Sequence, residues 1–155
     1  KTIAITMDDG YADIYTYAFP IIKKYNVVVN LAVITGFLEN KDYLSWNQLK
    51  EMTDSGLVKP IDHTWSHPNL KKSTSEKIEY EIITGKQQLE EKLGLTIKSF
   101  IYPYGNVDKR AMDFLQKNNF TSAFSTAPGN WQCNSFILEL HRLRVGNLSL
   151  ATYGL

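Results

Sequence analysis

The chain has 155 residues, 43% hydrophobic and 12% aromatic, which supplies the core of one globular domain and excludes a disordered chain. Its 17 basic residues nearly cancel 16 acidic ones, with no lysine- or arginine-rich stripe, so nucleic acid is not an expected partner. Cys133 is the only cysteine, which rules out an intrachain disulfide and a zinc finger, and the longest apolar run, Val27 to Ile34, falls far short of the ~20 residues that cross a bilayer.

Thr2 to Met7 alternates around Ile3 and Ile5 and ends at Asp8-Asp9-Gly10, the pattern of a buried strand handing over to a loop. It reads as a strand and not as a signal peptide, so any export signal or anchor is expected outside this sequence. Ile14, Tyr17, Ala18, Ile21, Ile22 and Tyr25 recur at helical spacing, with Pro20 expected to kink or divide that helix. Val27 to Ile34 is β-branched and predicts a second strand. Ser45-Trp46-Asn47-Gln48 is a capping box opening a short helix that Gly56 ends. Leu57 to Ile61 is a third strand, where Pro60 suggests an edge or a bulge. A second capping box, Ser73 to Glu76, precedes the longest helix, carried by Ile78, Ile82, Leu89 and Leu93, weakened by Gly85 and stopped at Gly94. Ser99 to Tyr102 predicts a strand, Asp108 to Asn118 a helix, Ser122 to Ser125 a strand and Leu138 to Val145 a last strand. Regular alternation of strands and helices predicts an α/β fold with a largely parallel sheet or barrel, and no linker or repeat divides residues 1–155.

Three segments fall at predicted strand ends: Asp8-Asp9-Gly10, His63-Thr64-Trp65-Ser66-His67-Pro68 and Tyr102-Pro103-Tyr104-Gly105. In a parallel α/β fold the strand C-termini gather on one rim, so these segments converge. Two imidazoles and a carboxylate suit zinc or a similar divalent cation with positions left open for water. The zinc-protease pattern of two histidines four apart needs glutamate after the first, where Thr64 stands, and Pro68 disfavours a helical His67. Of the adjacent aspartates, one can bind a metal while the other takes a proton from water; spacing alone does not order them.

Thr6-Met7-Asp8-Asp9-Gly10 and the two later segments resemble, in order and approximate spacing, the motifs of the polysaccharide deacetylases, the NodB-homology or carbohydrate esterase family 4 domain. The resemblance runs from Lys1 to about Val145. It implies a distorted (β/α) barrel with fewer than eight strands. It implies one divalent metal ion, zinc foremost with cobalt, nickel or manganese as substitutes, held by Asp9, His63 and His67. Asp8 would be the general base and the amide of Tyr104 an oxyanion donor. The implied activity is removal of acetyl groups from a glycan, foremost an N-acetylglucosamine polysaccharide, by a secreted or cell-surface protein.

This sequence departs from the family pattern in three places. Ile101 stands where many members carry an arginine that positions the base, and Arg142 or Arg144 is the candidate substitute. The acid histidine of a late Leu-x-His motif has only His141 as its counterpart. Asp62 precedes the first histidine where a small polar residue is common. Trp65, Tyr102, Pro103 and Trp131 are candidate sugar contacts, because aromatic faces suit sugar C–H groups. Two other functions fit the same residues: a glycan-binding module that kept the metal pocket, or hydrolysis of a small non-carbohydrate amide.

Overall fold

Five parallel strands lie side by side in the order in which the chain makes them: β1 (Ile5–Met7), β2 (Val29–Val33), β3 (Val58–Asp62), β4 (Ser99–Ile101) and β5 (Ser122–Phe124). The computed structural model describes residues 3–129 and 132–154, so the strand reading at Thr2 and the sugar-contact reading of Trp131 lie outside the described residues. Sequential parallel order with helical connections makes this an open, distorted (β/α) barrel with fewer than eight strands, as expected. Registry aligns the strand ends: Met7 pairs with Leu31, Val33 with Asp62, Asp62 with Phe100 and Ile101 with Phe124. Residues just past β1, β3, β4 and β5 therefore share one rim.

Between β1 and β2 the chain makes a π-helical turn, Ile14–Ala18, and then α1 (Phe19–Tyr25), with Pro20 in the first turn of α1 where a missing N–H is harmless. Helix α2 (Trp46–Asp54) opens on the expected capping box: Ser45 Oγ accepts from Gln48 N, and Gln48 Oε1 accepts from Ser45 N. Helix α3 (Ser75–Leu93) is capped by Thr74, whose hydroxyl accepts from Lys77 N, and not by Ser73. Ser73 Oγ instead donates to Asn69 O and closes the preceding turn. Ile78, Ile82, Leu89 and Leu93 of α3 are buried, each stabilising by roughly 1.5–3 kcal/mol, which outweighs the ~1 kcal/mol that Gly85 costs. Gly94 ends the helix at φ 69°. Helix α4 (Lys109–Lys117) is capped by Asp108.

Two expectations are corrected. β3 is a central strand, and Pro60 pairs in register with Leu31. His63 N donates to Val33 O, so by alternation the nitrogen of Pro60 faces β4, where the only ladder pair is Asp62 with Phe100. The missing donor falls where no bond is made. The last predicted strand, Leu138 to Val145, shrinks to one bridge between Leu140 and Phe124. Beyond it the chain leaves the sheet because Arg142 N turns to Ala127 O and its side chain runs toward β1.

Candidate active site

At the end of β1, Asp9 (φ 75°) and Gly10 (φ 79°) both take left-handed backbone, and Gly10 N donates to Asp8 O at 3.1 Å. This tight reversal sends the two carboxylates apart. Asp9 turns to the histidine segment, where its Oδ1 lies 3.5 Å from His63 Nε2 and 3.7 Å from His67 Nε2. Asp8 turns to Arg142.

His63 is buried at the end of β3, and its Nδ1 lies 2.6 Å from Ile101 O. A carbonyl only accepts, so Nδ1 carries the hydrogen and Nε2 presents its lone pair toward Asp9. The chain then turns through Thr64 (φ 68°) and His67 (φ 57°), with His67 N donating to Thr64 Oγ1 at 2.9 Å. Left-handed backbone at non-glycine residues costs about 1–3 kcal/mol each, so bonds from outside must hold this loop. His67 is therefore presented from a turn, as Pro68 predicts, with its ring 4.7 Å from that of His63.

One ligand atom from each of Asp9, His63 and His67 lies within 4.8 Å of the others. Around a tetrahedral zinc with bonds of 2.0–2.1 Å, ligand atoms sit roughly 3.3 Å apart, so the 3.5 and 3.7 Å separations fit a divalent cation. Protonation also favours ligation. His63, facing the Asp9 carboxyl, holds it below its usual range, with His67 and Arg142 adding to the effect against burial. Burial, and then the neighbouring His63, hold His67 below the usual imidazole value, which favours the neutral ring that a metal needs.

Helix α3 holds the loop from behind. Glu81 is fully buried, and its carboxyl accepts from Ser66 N at 2.7 Å, Ser66 Oγ at 2.6 Å and Lys77 Nζ at 2.7 Å, while Glu81 O accepts from Trp65 N. Asp62, also fully buried, accepts from Thr64 N at 2.9 Å through Oδ1, and its Oδ2 has no partner. Burial pushes the Asp62 carboxyl well above the ordinary range, and its bond to Thr64 N ties it to the histidine loop and not to solvent. Gly85 sits against this pair: a Cβ there would strike Asp62 Oδ1 and the main chain of Thr64. The glycine that weakens α3 is the one that lets the helix approach the loop.

Glu81→Ala is expected to lower stability by about 2–4 kcal/mol in urea unfolding, from the loss of both Ser66 bonds and the Lys77 ion pair to a buried carboxyl. It should also weaken Co²⁺ binding by about 10- to 100-fold, as loss of an outer support does. Glu81→Gln, which keeps an acceptor for Ser66 N, should recover most of both.

The second carboxylate is gripped separately. Arg142 donates from its two terminal nitrogens to Asp8 Oδ1 at 2.7 Å and Oδ2 at 2.9 Å, and also to Thr6 Oγ1 at 3.1 Å. Its Nε donates to Ser125 O at 2.9 Å, which fixes the plane of the fork. Arg144 is exposed and makes no hydrogen bond or ion pair with the described residues, so of the two arginines the structure brings Arg142 to Asp8.

Tyr104, in the turn after β4, has φ 58° and lays its ring 4.6 Å from that of His67. Its N–H has no acceptor among the described residues. Tyr102 corrects the sugar-contact reading: the ring is fully buried against Phe100 and its hydroxyl donates to Leu138 O. Pro103 is buried too and shapes the turn. Trp65 is half-buried edge-on to Tyr80, with Lys77 over its ring. His141 stacks on Phe136 and has no hydrogen bond, ion pair or ring contact with Asp8, Asp9, His63 or His67. Sequence reasoning passed over Glu81, although its spacing from Ile78 and Gly85 places it on the buried face of α3.

Known proteins resemble this chain in sequence and fold. The family described as Polysaccharide deacetylase matches residues 1–123, which takes in all three rim segments and stops short of His141 and Arg142. YxkH of Bacillus subtilis is 28% identical over 145 residues, covering 94% of this chain and 52% of that protein. The poly-β-1,6-N-acetyl-D-glucosamine N-deacetylase of Staphylococcus aureus is 30% identical over 138 residues, covering 81% of this chain and 48% of that one. The chain thus spans about half the length of these two relatives. Among solved structures, the Streptococcus pyogenes deacetylase PplD in complex with acetate superposes with a TM-score of 0.90 at 28% identity, covering 94% of this chain and 65% of that one. Sequence and fold agree over most of the chain, which belongs to the polysaccharide deacetylase family.

Proposed function

We propose that this chain is a metal-dependent hydrolase that removes N-acetyl groups from an N-acetylglucosamine-containing polysaccharide, acting at or outside the cell surface. Family membership and the substrate named for the Staphylococcus aureus relative support the class of reaction. The carrying observation is the division of labour on one rim: three donors face a common point, and a fourth group, Asp8, stands beside them in the grip of Arg142. Two imidazoles and a carboxylate suit zinc, with cobalt, nickel or manganese as replacements.

A divalent cation at such a site supplies Lewis acidity toward an amide carbonyl and makes water more acidic. Asp8 is the proton acceptor for the attacking water. A carboxylate offers about four lone-pair directions, so the two bonds from Arg142 leave room to take that proton. The Tyr104 N–H donates to the oxyanion of the tetrahedral adduct. As the C–N bond breaks, the leaving nitrogen takes a proton, and Asp8 then holds the one it received from water. His141 has no contact with this cluster.

Purified protein supplied with Zn²⁺ or Co²⁺ should release acetate from a β-linked N-acetylglucosamine pentasaccharide, lose that activity to a chelator and regain it on adding metal. Metal-loaded protein that binds the pentasaccharide without releasing acetate would make it a binding module instead. Acetate release from small amides but not from the sugar would move the reading to non-carbohydrate substrates. Among the described residues no helix is long and apolar enough to cross a membrane.

A further inference from the structure

Beside the Asp9 turn stands an aromatic stack that none of the roles above uses. Tyr11 follows Gly10 directly, two residues from Asp9, so its Cα lies within about 7.6 Å of that of Asp9. Its ring stacks on Tyr43 with centroids 5.0 Å apart and planes 27° apart, and Phe37 backs Tyr43 edge-on at 5.1 Å. The layers run outward from Phe37 through half-buried Tyr43 to Tyr11, which is 42% exposed. Closing the loops does not require this stack. Ala12 N donates to Asp42 O at 2.9 Å, Leu44 N to Gly10 O at 3.0 Å, and Tyr11 and Tyr43 form an antiparallel bridge.

The stack is also close to the reacting rim in charge as well as in sequence. Burial, the neighbouring Tyr11 and the nearby charge of Asp9 push the Tyr43 hydroxyl up to about 12, so it remains a neutral donor. Across the donor cluster Tyr104, 60% exposed, stands against His67. One exposed tyrosine thus follows Asp9 closely in the chain, and another stands against His67. A flat ring with a polar tip, held in place before binding, matches a pyranose: the C–H face stacks while ring hydroxyls meet the phenol.

We propose that Tyr11, backed by Tyr43, is a subsite for the sugar ring next to the one that carries the acetyl group, so that the chain selects oligosaccharides over single sugars. The proposal rests on the glycan reading above. It assigns to the Tyr11–Tyr43 stack a part in chain-length preference, separate from proton transfer.

The test uses equilibrium binding, with Asp8→Asn protein so that the ligand is not consumed. An N-acetylglucosamine pentasaccharide should bind more tightly than the monosaccharide. Adding Tyr11→Ala should weaken pentasaccharide binding about threefold to tenfold and shrink the pentasaccharide-to-monosaccharide ratio by the same factor. Tyr11→Phe, which keeps the ring face, should restore binding to within about twofold. Co²⁺ affinity and the unfolding midpoint serve as controls for the loop. If Tyr11→Ala leaves the ratio unchanged, or weakens Co²⁺ binding as much as sugar binding, the stack is structural and the subsite is wrong. Failure of the hydrolase reading looks different: Tyr11-dependent pentasaccharide binding with no acetate released by the wild-type protein keeps the subsite and rejects the hydrolase.

Discussion

His67→Ala should reduce affinity for Zn²⁺ or Co²⁺ by about 10²- to 10⁴-fold and abolish acetate release at metal concentrations that saturate the wild-type protein. The magnitude follows from sharing roughly 10–16 kcal/mol of zinc binding among three or four ligands, or about 3–5 kcal/mol for one of them. His67 is the better position to test than His63. The His63 side chain is 2% exposed and its Nδ1 answers the Ile101 carbonyl, so its removal opens a cavity and leaves a buried acceptor without a donor. The His67 side chain is 18% exposed, and its main-chain bond to Thr64 does not depend on the ring. The fold should therefore survive the substitution, and titration calorimetry with Co²⁺ can read the loss directly. Unchanged affinity would mean that Asp9 and the two imidazoles do not form a common site.

What the sequence made legible was local or periodic. The capping box at Ser45, the apolar face of α3, and the break at Pro20 each depend on residues within a turn of one another, and each appears where the pattern places it. The rim constellation was legible because parallel strands must bring their C-terminal ends together, whatever the details of packing. Where reading failed, the deciding contact was distant or the chain turned where a strand would have continued. Tyr102 and Tyr104 flank the same proline and would share a face in a strand, yet one points into the core and the other stands at the rim because the backbone reverses at Tyr104 (φ 58°). Glu81 looks like a solvated helix residue until the Ser66 amide, turned inward by left-handed backbone at Thr64 and His67, needs an acceptor. Leu138 to Val145 has strand-like composition, but the pull of Arg142 toward Asp8 lies at the far end of the chain and outside any local pattern.

That same reach underlies the other large effect. Asp8→Asn should cut acetate release by about 10²- to 10⁴-fold, the range lost with a general base, while leaving Co²⁺ affinity within a few-fold because Asp9 supplies the ligand. Arg142→Ala should lower kcat by about 10- to 100-fold, with a smaller effect on KM, because it frees the base to rotate without removing it. Arg142→Lys should recover little: a point charge cannot bond both Asp8 oxygens in one plane while Nε is tied to Ser125 O. The decisive comparison is the double variant. If Arg142 acts through Asp8, Asp8→Asn with Arg142→Ala should be no slower than Asp8→Asn alone, since the group being oriented has already lost its basicity. Losses that multiply would give Arg142 a role of its own toward the substrate, and undiminished turnover in Arg142→Ala would remove it from the reaction. The bonds between Arg142 and Asp8 would then serve the fold alone, and the base at the end of β1 would need another explanation for its orientation.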